Sequence, residues 1–576
     1  MAEVLLSPGV LTRENNQSFL TQQPIQAGAC IVGPTAKGPT TPVLIRSYSD
    51  FVNRFGTTIT SGSQVYSYLT NISAQNYFNN GGTTLLVSRV TSGDFTSATS
   101  SLIPTGSGGP STGLSPFVLE TISKGNIMNS GDSEGSNGTL VSGSIDNLRW
   151  EIPSVNTESG EFSLLIRQGS DTLTEKIVLE SYDGLSLDPK SSNFISKKIG
   201  NTQENIVTTA DGTFIQVSGS FPNVSRYITV KSVNYLTPDY LDNNGTAKDA
   251  YTGSLPSISS GSFGGAVGDQ FNTSEQAQFY QNITGDNIQG VSVSDYSQSF
   301  NLLANKDEYQ FNVITAPGII KNATNHATQF NALVNLAQGR TDCIAVVDLV
   351  TYNSTIGAVT TQAGTVNSSY AASYWPWVQV NDSNTGEYVF VPASTLIPGV
   401  YAFNDSVAEP WFAPAGINRG GLDTVVRPEK KLTQANRDTL YQGKVNPIAV
   451  FPNTGTVVFG QKTLQKKASA LDRVNVRRLL IALKSFIGQT AANLVFEQNT
   501  ITTRNNFLAQ VNPYLESVQQ RQGLFAFRVV MDDTNNTPDV IDRNQLVGQI
   551  FLQPTRTAEF IVLDFNVLPT GVEFPS

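Results

Sequence analysis

The feature that most constrains this chain is an alternation of short apolar strands with helical segments that stops near residue 91 and resumes near residue 306. Strand, helix, strand order at short spacing implies a sheet with helices packed on it. On the N-terminal side, Ala29-Cys30-Ile31-Val32-Gly33 and Pro42-Val43-Leu44-Ile45 read as buried strands. Tyr48 to Phe55 reads as a short helix that Ser47 or Ser49 can cap. A longer helix is expected from Val65 to Asn79, stopped by Gly81-Gly82, with a strand from Thr84 to Val90 after it. On the far side, Gln310 to Ile314 and Cys343 to Asp348 are expected strands, with a helix from Ala327 to Leu336, ended by Gly339, between them.

The intervening stretch differs in kind. Residues 92–305 are rich in Ser, Gly, Thr and Asn and hold short alternating strands such as Phe162-Ser163-Leu164-Leu165-Ile166. They carry 22 acidic residues against 10 basic ones, a larger negative excess than the net −10 of the whole chain. Such a segment suits one or two inserted β-rich domains facing solvent.

The last 150 or so residues are the most regular. A helix is expected from Ala468 to Ile487, because Val476, Leu479, Leu480, Leu483 and Ile487 fall on one helical face. Helices from Thr490 to Glu497 and from Thr502 to Ser517, the latter carrying Pro513, follow, then strands Phe525 to Val530 and Gln549 to Leu552. Each terminus reads as an arm. Val4, Leu5 and Leu6 are strand-like, Pro8-Gly9 interrupts, and Val10 resumes the pattern. At the other end Phe560 opens an apolar run in which Ile561, Leu563, Phe565 and Val567 line one strand face. The fold expected is therefore α/β, mixed α+β and multidomain. Its parts are an N-terminal arm (1–20), a first core part (21–91), the insertion (92–305), a second core part (306–430), a C-terminal domain (431–557) and a C-terminal arm (558–576).

Reactive chemistry is sparse. His326 is the only histidine and reads as a surface or cap-adjacent residue at a helix start; Cys30 and Cys343 sit in apolar runs as buried free thiols. Gly33-Pro34-Thr35-Ala36-Lys37-Gly38-Pro39 lacks phosphate-loop spacing, and its prolines remove two N–H donors, so it reads as a turn. Asp532-Asp533 and Asp382 with Asn384 read as exposed turns. No catalytic residue, cofactor or metal is expected. The net charge argues against general nucleic-acid binding. No apolar run reaches the roughly 18 residues that span a bilayer, and the N-terminus lacks a basic leader region, so a protein made and kept in a cytosol is expected. One charge feature stands out. Residues 461–485 carry Lys462, Lys466, Lys467, Arg473, Arg477, Arg478 and Lys484 against Asp472 alone. Arg473, Arg477 and Lys484 are expected on a face turned away from the Leu479–Leu483 stripe, either as an ordinary solvated face or as a surface for an acidic partner.

Several stretches resemble the contractile phage tail sheath family, most like its T-even branch. They are Ser7-Pro8-Gly9-Val10, the Gly33–Pro39 turn, Asn76-Tyr77-Phe78-Asn79-Asn80-Gly81-Gly82 and Arg89-Val90, Tyr374-Trp375-Pro376-Trp377-Val378, Val391-Pro392-Ala393-Ser394, Trp411-Phe412-Ala413-Pro414-Ala415-Gly416, and Asp472-Arg473-Val474-Asn475-Val476-Arg477-Arg478-Leu479. Leu185-Ser186-Leu187-Asp188-Pro189 resembles the T-even insertion, while Glu409-Pro410-Trp411 departs from the Gly that many relatives place before the Trp. The resemblance implies a structural subunit, not an enzyme, that polymerises as stacked rings, expected to be hexameric, around a tail tube and contracts to drive that tube through a host envelope. The implied partners are other copies of the chain, the tail tube protein, and baseplate and tail terminator or neck proteins, with no nucleic acid and no direct membrane insertion. The implied location is the phage tail, assembled in the host bacterial cytoplasm. It also implies strand exchange between subunits through Val4, Leu5, Leu6 and Val10 at one end and Phe560, Ile561, Leu563, Phe565 and Val567 at the other. Arg473, Arg477 and Lys484 would then face the tube. Two alternatives stay open on sequence grounds: the sheath of an R-type bacteriocin or other contractile injection system, and a secreted glycan-binding or adhesive β-protein.

Overall fold

Runs of apolar residues with no polar alternation belong to strands buried on both faces, and six such strands lie side by side and parallel at the centre of the molecule. The computed structural model describes residues 25–109, 113–131, 133–210, 212–271 and 277–559. Its main sheet is built from β1 (Ala29–Gly33), β2 (Val43–Ile45), β3 (Leu85–Arg89), β4 (Val313–Ile320), β5 (Ile344–Asp348), β6 (Ala371–Trp375), β7 (Asn446–Phe451) and β8 (Gly455–Val458). The spatial order is β8-β7-β6-β5-β4-β1-β3-β2, and only the edge strands β8 and β2 run antiparallel to their neighbours. β1 on β4 is the seam that joins residues from either side of the insertion, with Cys30 opposite Ile314.

Helix α1 (Tyr48–Phe55) occupies the span expected, its N-terminus capped by Ser47, which accepts from Asp50 N–H. Helix α2 is shorter than its pattern suggested. Residues Gln64–Ser67 form a hairpin with Thr58–Ser61, and α2 runs only from Leu69 to Asn79. The start is set from outside: Gln289 Oε1 accepts from Leu69 N–H at 3.0 Å and Tyr280 Oη from Ser67 N–H at 2.8 Å. Helix α3 (Ala327–Arg340) passes through Gly339 and ends at Thr341, which takes a left-handed φ of 63°. The helix runs on past Leu336 to Arg340, whose buried guanidinium donates to Tyr309 O at 2.5 Å, to Leu303 O and to Asp342. Helix α4 (Ile397–Val407) packs on α2 so closely that a Cβ at Gly399 would lie 2.2 Å from Asn76 Oδ1.

The inserted β body has its own core and an antiparallel sheet of eight strands, among them Phe117–Lys124, Leu148–Ile152, Glu161–Gln168, Ile228–Val233 and Ser259–Gly264. Phe117 and Phe162 stack in that core with centroids 5.4 Å apart. Two wholly buried arginines share one carboxylate there: Arg167 donates to Asp171 through Nε at 2.7 Å and Nη2 at 2.9 Å, and Arg149 Nη1 donates to it at 3.2 Å. The boundary expected at residue 305 lies too far along the chain, because Phe279, Tyr280, Ile283, Ile288, Tyr296 and Phe300 pack into the main core.

Candidate assembly surface at the C-terminal domain

The C-terminal domain is a helical hairpin backed by a two-stranded ribbon. Helix α5 (Val474–Ala492) and helix α6 (Ile501–Gln520) pack with strands β9 (Leu524–Val530) and β10 (Gln549–Pro554) around Leu479, Leu483, Phe507, Val511, Leu515, Val518 and Leu524. The helix expected over Thr490 to Glu497 is absorbed into the last turn of α5 and a tight connection. Trp411 ties this domain to the main body: it packs into the same core and its Nε1–H donates to Arg521 O at 3.0 Å.

The ribbon is the feature open to a partner. β9 and β10 pair with each other, Phe527 opposite Leu552 and Val529 opposite Ile550, and with no other strand among the described residues. Those four side chains face the hairpin core, while Phe525 and Phe551 are exposed. Among the described residues each strand therefore has one main-chain edge without a neighbouring strand, the arrangement to which an added strand can pair.

The residues expected to carry the exchange, Val4, Leu5, Leu6 and Val10 with Phe560, Ile561, Leu563, Phe565 and Val567, lie outside the described residues. The chain can be followed to Glu559, whose carboxylate is held on all sides. Arg473 donates to it twice, through Nε at 2.7 Å and Nη2 at 2.9 Å, Tyr441 Oη donates at 2.7 Å and Gln461 Nε2 at 3.1 Å. Burial alone would raise the Glu559 carboxyl, but the hydrogen bonds from Arg473 and Tyr441 and the Arg473 charge outweigh it and leave it below the usual range. Beside this clasp, Tyr441, Phe459, Pro447 and Arg437 line a cavity of about 390 Å³. No sequence pattern announces the clasp, because its four residues are scattered between positions 441 and 559.

The basic helix is corrected in the same region. Arg477 is buried at 4% exposure, stacked over the Tyr370 ring at 3.9 Å and donating to Ser369 Oγ. Arg478 is equally buried, paired with Asp405 at 2.5 Å. Arg473 caps α5 and spends its guanidinium on Asp472 and Glu559. Of the three expected on one solvated face, Lys484 alone is exposed. The reason is that α5 is buried on two sides: Leu479 and Leu483 face the hairpin core, and Val474 and Ile481 face the main core.

The motifs singled out in the sequence serve packing. The Gly33–Pro39 turn receives the insertion, with Gly38 O accepting from Arg89 Nη1 at 2.5 Å and from Lys124 N–H at 3.1 Å, and Ala36 O from Gln270 at 2.7 Å. Gly38 has φ 122°, and a Cβ there would meet the Phe55 ring at 2.5 Å. His326 does sit at the N-cap of α3 but is fully buried, not at the surface; its Nδ1 accepts from Ile320 N–H at 3.0 Å and its Nε2–H donates to Gly285 O at 2.7 Å. Both cysteines are buried free thiols. Among the described residues, no group of three or more His, Cys, Asp or Glu is placed to hold a metal, and no helix is long and apolar enough to cross a membrane.

Fold and surface together define a multidomain α+β protein whose β9–β10 ribbon pairs with no further strand among the described residues. Residues 289–464 match the phage tail sheath protein central domain, and residues 466–567 the phage tail sheath C-terminal domain. Over residues 289–567 the chain is thus similar to phage tail sheath proteins. It is 39% identical over 216 residues to the tail sheath protein of Vibrio phage KVP40, covering 38% of this chain and 31% of that one. To the tail sheath protein of Enterobacteria phage T4 it is 31% identical over 306 residues, 49% of this chain and 46% of the relative. The matches thus span less than half the length of these relatives. A solved sheath tail protein from Listeria innocua aligns over 92% of this chain and 95% of its own at 12% identity and a TM-score of 0.49.

Proposed function

We propose that this chain is the structural subunit of a contractile phage tail sheath. Copies assemble as stacked rings, expected to be hexameric, around a tail tube, within a tail that also has a baseplate and a terminator or neck, and shorten to drive the tube through a host envelope and deliver a genome. The observation that carries this reading is the β9–β10 ribbon, open at both edges among the described residues and joined within a few residues to the apolar C-terminal run. Strands from neighbouring copies, supplied by residues 1–20 and 560–576, pair to those edges. Each added main-chain bond contributes about 0.5–1.5 kcal/mol, so a short strand links copies while their rigid bodies rotate. Contraction draws on new contacts between domains, with no reaction centre. The single histidine and both cysteines are committed to buried structural contacts, which supports a non-enzymatic role. Assembly takes place in the host cytoplasm, and the tube contact falls to the exposed flank of α5 at Lys484.

Deleting residues 560–576 tests the reading. The expected product is a folded monomer that sediments as one species and forms no hollow cylinders by electron microscopy. Unchanged polymerisation of the truncated chain would refute strand exchange through this arm.

A further inference from the structure

The last five described residues are tied to the body at every second position. Thr555 N–H donates to Gly523 O at 3.2 Å, Thr557 Oγ1 accepts from Gln461 Nε2 at 2.7 Å, and Glu559 enters the clasp of Arg473, Tyr441 and Gln461. That alternation is an extended segment laid against its own subunit. A second carboxylate orients the clasp. Asp472 holds Arg473 Nη1 at 2.7 Å, which leaves Nε and Nη2 as a fork that matches a carboxylate. Charge also favours the docking: Lys444 and Lys462 lie beside Arg473, with only Asp472 to balance them when Glu559 is away. Burial first, then the charges of Lys444 and Arg473, push the Lys462 amine down to about 8.

We propose that Arg473, Tyr441 and Gln461 form a receptor that fixes the root of the C-terminal arm to its own subunit at Glu559. Only residues beyond 559 then cross to a neighbour, and pull between subunits enters each body at the start of α5. The inference rests on the strand-exchange reading for its purpose, but the clasp itself lies within one chain.

The test uses the full chain with Arg473→Glu, Glu559→Arg and the double swap. In the monomer, trypsin cleavage after the exposed Arg556 reports release of the root. Either single reversal is expected to speed it about fivefold or more, and the swap to return it near the native rate. Because Glu559→Arg alters a residue on the arm and none in the hydrophobic cores, it keeps the test valid if Arg473→Glu fails to fold. In assembly, each single reversal is expected to raise the critical concentration for polymer several-fold. An equal mixture of the two single variants is expected to stay as impaired as either alone, since a clasp within one chain cannot be rebuilt between two. Cleavage unchanged by either reversal would overturn the clasp. Recovery of polymer in the mixture to the level of the double swap would overturn its placement within one subunit. Faster cleavage with unimpaired polymer would overturn its role as the arm's anchor. The 560–576 truncation keeps Glu559, so its assembly result judges strand exchange separately.

Discussion

Asp348 ends the central strand β5 buried inside the protein, and its carboxylate is met by Ser394: the Ser394 N–H donates at 3.2 Å and its hydroxyl at 2.5 Å. Burial raises the carboxyl to about 7, against the pull of the Ser394 hydrogen bonds. A carboxyl with a folded value above its unfolded one binds more protons in the native state. Stability is therefore expected to fall as pH rises from about 4 towards 7 and to level off above that. Asp348→Asn keeps the shape without the charge. It is expected to flatten this slope and to gain about 1–3 kcal/mol at pH 8, read by chemical denaturation at pH 5 and pH 8; an unaltered slope would contradict it. His326 shows why such residues are hard to read from sequence. Its partners are the main-chain N–H of Ile320 and C=O of Gly285, and no residue type announces a backbone partner.

At the scale of elements, legibility followed how local the determining force was. Helix α1 matched residue for residue because its cap and its buried Phe51 and Phe55 lie within the helix or beside it. The start of α2 was missed because Gln289, some 220 residues away, supplies its cap. Helix α5 was located, but its polar face was misjudged. A helical period identifies one apolar stripe, and α5 is wedged between two cores, so Arg477 and Arg478 are taken up by Tyr370 and Asp405. What is left for an external acidic partner is the exposed flank at Lys484. Lys484→Glu is expected to weaken sheathing of isolated tubes several-fold while polymerisation without a tube proceeds normally; a variant that sheaths tubes as well as the native chain would contradict that role.

At the scale of the whole molecule, the inserted β body and the C-terminal hairpin are each built around a separate core and joined to one parallel sheet. The insertion is moored at the Gly33–Pro39 turn through Arg89 and Gln270, and the hairpin through Trp411. The change in composition after residue 91 made the insertion legible, and the scattered motifs pointed to the same proteins that residues 289–567 resemble. The clasp and the open ribbon were not, since both depend on which distant segments meet. In the proposed function, copies of this chain are joined by strands laid along β9 and β10. Amide hydrogen exchange over Leu524–Val530 and Gln549–Pro554, compared between monomer and polymer, tests that most directly. Amides on the outer edges of both strands are expected to exchange freely in the monomer and to become strongly protected in the polymer. Polymer that forms with those amides still exchanging at the monomer rate would contradict it.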